Sequence, residues 1–67
     1  MEYAITSTDG HALVGNRNTT EYHVMTNETR NCQIPEIAQA RHLVGFIPDT
    51  ERQAQIEGYT PCYYCSR

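Results

Sequence analysis

A chain of 67 residues makes one small domain. With 39% hydrophobic residues, no Trp and Phe46 as its single Phe, it has little apolar mass to bury. A net charge of −3, with five arginines and no lysine, argues against tight, sequence-blind binding to phosphate backbones, which needs a basic surface. No stretch approaches the ~20 apolar residues of a membrane-spanning helix.

Met1 to Ile5 alternates apolar and polar residues, the period of a half-buried strand. Asp9-Gly10 is a turn signal, and His11 to Gly15 reads as the returning strand of a hairpin. Asn16-Arg17-Asn18 suits a second turn, and Thr20 to Met25, rich in β-branched and aromatic residues, is a third strand. These three strands are expected to form a meander. Thr26 to Asn31 is polar throughout and reads as loop. Pro35 suits the first turn of a short helix through Ala40, and His42 to Ile47 suits a fourth strand ending at Pro48. Asp49 or Thr50 is placed to cap a helix running to about Glu57, with Glu51 near its positive end and Gly58 as its stop. Tyr59 to Cys65 reads as a tight metal-binding turn. The expected fold is α+β: a short antiparallel sheet of three to four strands with one or two short helices, in a single domain spanning residues 1–67.

A domain of this size buries only about 60% of the surface its unfolded chain exposes, so disulfides, a metal or a partner chain should supplement the core. Three cysteines cannot all pair within one chain, and MEYAITSTDG has neither a basic start nor an apolar run of signal-peptide length. The expected compartment is the cytoplasm, where thiols stay reduced and clustered cysteines more often bind metal. Cys62 and Cys65, separated by two residues, can both reach one ion ~2.3 Å away. Cys32 is the remaining cysteine, and the histidines are His11, His23 and His42. His23 is the favoured fourth ligand because its strand leads into the loop that delivers Cys32; His42 is its rival. Three thiolates and an imidazole suit zinc. Two other readings compete. Cys32 packs as a small hydrophobe beside spare thiols, or Cys62 and Cys65 form a redox pair, although such pairs usually open a helix after a strand.

The residues Val14-Gly15-Asn16-Arg17-Asn18, Tyr22-His23, Cys32, Val44-Gly45-Phe46, Ala54 and Gly58-Tyr59-Thr60-Pro61-Cys62 with Cys65 follow a recognisable order. The chain from Leu13 to Cys65, about four-fifths of the sequence, resembles the Ada-like metal-binding domains, small zinc modules named for a bacterial DNA alkylation-response protein. The resemblance implies zinc held by His23, Cys32, Cys62 and Cys65 in a small α/β domain with a short sheet. This chain departs from that pattern in three ways. Eight residues separate His23 from Cys32, where the family usually has three or four. His23 stands where the repair protein carries a zinc-bound cysteine that accepts a methyl group, and an imidazole whose lone pair is given to the ion cannot take that role. Thr60, Tyr63 and Tyr64 stand where the repair protein places basic residues.

Four protein ligands close a zinc shell and leave no position for an activated water, so no enzymatic activity is expected. The expected function is macromolecular interaction, foremost with a protein partner, as an adaptor or inhibitor. Tyr63, Tyr64 and Arg30 are the candidate contact residues, because tyrosine offers a large apolar face with a polar tip. The alternative is a nucleic-acid-binding module in which Arg17, Arg30 and Arg67 touch phosphates; its affinity would fall steeply with salt.

Overall fold

The computed structural model describes residues 1–27 and 33–63. Among these residues are five strands, β1 (Glu2–Ala4), β2 (Leu13–Asn16), β3 (Glu21–Val24), β4 (Leu43–Phe46) and β5 (Thr60–Pro61). Two short helices, α1 (Ile34–Gln39) and α2 (Glu51–Ile56), and a 3-10 turn at Met25–Asn27 complete the fold. The result is a small α+β domain around one mixed sheet in the order β1-β4-β2-β3-β5.

Two expectations about the sheet are corrected. β1 does not pair with β2 in a meander. β4 lies between them, antiparallel to both, with Tyr3 opposite Gly45 and Asn16 opposite Leu43. The cause is burial. All four β4 residues are buried, as suits a strand covered on both faces and flanked on both sides. The sheet also exceeds the expected three to four strands and is not wholly antiparallel, since β5 adds to β3 in parallel register, Glu21 opposite Thr60 and Tyr22 opposite Pro61. β5 has only two residues, too few to show an alternation.

The pleat sends alternate side chains to opposite faces. One face carries Val14, Leu43 and Cys62, covered by Ile34 and Ile37 of α1. The other carries Leu13, Tyr22, Val44 and Phe46, covered by Ala54 of α2 and by Tyr59. The helices start and stop where local chemistry dictates. Thr50 accepts the Gln53 amide at 3.2 Å as the N-cap of α2, and Gly58 ends that helix at a φ of 91°. Pro35 sits in the first turn of α1, and Arg41 follows its end in the left-handed region, with a φ of 62°. On the α2 face, the Tyr22 hydroxyl donates to Glu51 and accepts from Gln55, each at 3.0 Å. Asp49 joins loop to sheet by accepting the amides of Ala12 and Leu13. No helix among the described residues is long and apolar enough to cross a membrane.

Candidate metal centre

His23 is buried on β3. It lies opposite Val14 in the antiparallel β2–β3 ladder, and cross-strand partners share a face, so its side chain belongs to the α1 side of the sheet. β5 approaches the other edge of β3. The Thr60 amide donates to the Thr20 carbonyl and the Cys62 amide to the Tyr22 carbonyl, each at 2.9 Å. Carried one step beyond Tyr22 opposite Pro61, this register sets Cys62 beside His23. Neighbouring strands lie about 4.8 Å apart. An imidazole only 3% exposed and a thiol only 5% exposed are therefore neighbours on one face.

The surroundings suit ligand chemistry. Cys62 packs with Val14, Ile34, Ile37 and Leu43, an apolar shell that excludes water. Burial lowers the pKa of His23, against a smaller opposing pull from the Glu21 carboxylate, and so favours the neutral imidazole that a metal requires. A cysteine, once deprotonated to its thiolate, and a neutral imidazole are donors that zinc accepts. Ile34, two positions after Cys32 in sequence, packs in the same cluster as Cys62.

Cys32 and Cys65, the other two expected ligands, lie outside the described residues, as do Tyr64, Arg30 and Arg67. Among the described residues, no group of three or more His, Cys, Asp or Glu side chains is placed to hold a metal ion. The remaining histidines stand elsewhere. His42 precedes β4, three positions from β5 in the sheet order, and its carbonyl accepts the Arg17 amide. His11 lies near β1, its ring 6.1 Å from that of Tyr3. Tyr63, next to Cys62, is 65% exposed. The Arg17 guanidinium donates to the Arg41 carbonyl at 3.1 Å, across the corner between β2 and β4.

Sequence reasoning missed the parallel β3–β5 pairing that gives Cys62 its place, and it assigned no role to Arg41. The β5 signal was faint: Thr60-Pro61 between Gly58 and Cys62 reads equally well as a turn. No family model, curated protein or solved structure matches this chain.

Proposed function

We propose that this chain is a small, non-catalytic zinc module of the Ada-like kind, in which His23, Cys32, Cys62 and Cys65 hold one zinc ion. In this reading, Tyr63 and Tyr64, with Arg30, meet a protein partner beside the metal turn. The parallel pairing that brings buried Cys62 alongside buried His23 is the single observation that supports it most. Two polar donors are placed side by side in a core short of apolar mass, where two aliphatic side chains would pack at least as well. Zinc supplies a closed tetrahedral knot there. The protein's own contribution is to shield the donors, hold the imidazole neutral and present the exposed Tyr63 next to the site. Methyl transfer has no place in this function, because the accepting thiolate of the repair protein is replaced by His23.

Elemental analysis of the purified protein tests the metal directly, and about one zinc per chain is expected. His23→Ala should lower zinc affinity far more than His42→Ala; the opposite order would transfer the ligand role to His42. Tyr63→Ala should leave the zinc content intact while weakening capture of the partner. Binding to single-stranded DNA that falls steeply with added salt would instead favour a nucleic-acid module.

A further inference from the structure

β1 forms one edge of the sheet, and its hydrogen-bonding pattern leaves that edge available. The Ile5 amide donates to the Leu43 carbonyl at 3.1 Å, and the Met1 carbonyl accepts the Ile47 amide at 2.9 Å. Odd-numbered residues along this edge therefore turn their backbone groups toward β4, and the even-numbered Glu2 and Ala4 of β1 turn theirs outward. Glu57 occupies the first outward position, its carboxylate accepting the Glu2 amide at 2.6 Å. Beyond it, Ala4 lines a cleft of about 340 Å³ together with Ile5 and Thr6, which follow the strand, and with Ala38, Gln39 and Arg41 at the end of α1.

Arg41 is the one charged residue in this lining. It is exposed and, among the described residues, makes no ion pair. Its backbone occupies the left-handed region, with a φ of 62°, where glycine is the ordinary occupant. Three of the last four carbonyls of α1 are closed to an incoming anion. Those of Glu36, Ile37 and Ala38 already accept the amides of Ala40, His42 and Arg41 at 3.0–3.1 Å. The Arg41 carbonyl is likewise taken by Arg17.

From this edge, cleft and cation we infer that the groove between β1 and α1 binds the C-terminal end of an extended peptide from a partner protein. The peptide backbone would add to the sheet at Ala4, an apolar side chain would lie on Ile5 and Ala38, and the terminal carboxylate would pair with Arg41. Strand addition supplies main-chain hydrogen bonds, the cleft selects alternate side chains, and a guanidinium matches a carboxylate in a two-pronged contact. This groove lies at the opposite edge of the sheet from β5 and needs no metal. It gives the protein-binding reading a second surface, and each fails separately, because one is read at β1 and α1 and the other at Tyr63 and in zinc content.

The test is an amide chemical-shift titration with an acetylated pentapeptide of alternating Thr and Val that ends in Val with a free carboxylate. Shifts should concentrate at Ala4, Ile5, Thr6, Ala38, Gln39 and Arg41. The same peptide with an amidated terminus, and the variant Arg41→Gln, should each bind about tenfold more weakly, the factor carried by one charge-assisted hydrogen bond. Arg41→Gly should also lose affinity while its thermal midpoint holds or rises, which separates recognition from folding. Ala4→Pro removes only an outward donor and should abolish binding with the β1–β4 ladder shifts preserved. Absence of shifts at millimolar peptide would overturn the inference, as would equal binding of the amidated form. Hexanoate matching the peptide in shifts and affinity would also overturn it, by marking a small-molecule pocket instead of a strand edge.

Discussion

Gly15 lies where three side chains converge. A Cβ there would come within 2.8 Å of Phe46 Cζ and 2.9 Å of both Tyr59 Cε2 and Val44 Cγ2. Phe46 and Tyr59 already meet edge to face at 5.0 Å, so neither ring has room to retreat. Gly15→Ala should therefore destabilise the domain by about 1–3 kcal/mol, measured by urea denaturation. The glycine was visible in Val14-Gly15-Asn16, but its reason was not, because Phe46 and Tyr59 are distant in sequence. Tyr59 carries a second residue-scale consequence. Burial, and then the hydrogen bond its hydroxyl donates to the Glu2 carboxylate at 2.9 Å, raise its pKa well above the usual 10. A group whose folded pKa is raised contributes stability in full below its unfolded pKa and loses it as pH climbs past that value. Stability should thus fall as pH rises through 10 toward 11, and Tyr59→Phe should flatten this decline. Ultraviolet titration near 295 nm should show Tyr59 ionising above the usual tyrosine range.

Elements were legible in proportion to how local their signals are. α2 was readable at both ends because a cap and a stop are carried by single residues, Thr50 and Gly58. Thr50→Ala removes the acceptor for the Gln53 amide and should cost about 1 kcal/mol, again read from denaturation midpoints. β3 was foreseen from its β-branched and aromatic residues, β4 from its apolar and β-branched ones, and β2 as the strand returning from the turn at Asp9-Gly10. Their order was not legible. A turn at Asp9-Gly10 suggested that β1 folds back on β2, yet residues 5–12 carry the chain past the position β4 takes. Only the unbroken apolar run of Leu43-Val44-Gly45-Phe46 hinted that this strand is central. β5 escaped notice because its identity rests on hydrogen bonds to Thr20 and Tyr22 from residues forty positions further along the chain. That same element completes the proximity of Cys62 to His23, so the candidate site was legible as a set of residue types and not as a place in the fold.

At the scale of the whole molecule, a single sheet must support two apolar clusters, one per face, within a radius of gyration of 10.1 Å. The α2 cluster is closed by large rings, Tyr22, Phe46 and Tyr59, and the two tyrosine hydroxyls are tied to Glu51, Gln55 and Glu2. Among the described residues, the α1 cluster holds no Phe or Tyr ring. It ends at Cys62 and His23, where a larger protein would place further aliphatic side chains. If zinc fills that role, the two faces should differ in their dependence on it. Structural zinc contributes an apparent 10–16 kcal/mol that is coupled to folding, more than the whole stability of most domains of this size. Titrating a strong chelator into the protein should first broaden the amide signals of Val14, Ile34, Ile37 and Leu43 and then, as the sheet loses β5, those of the α2 face. Cys62→Ser should reproduce the final state without chelator. A chelated sample with sharp, unshifted signals on both faces would mean that Ile34, Ile37 and Leu43 hold this side of the sheet unaided, and the metal reading would fall with that result.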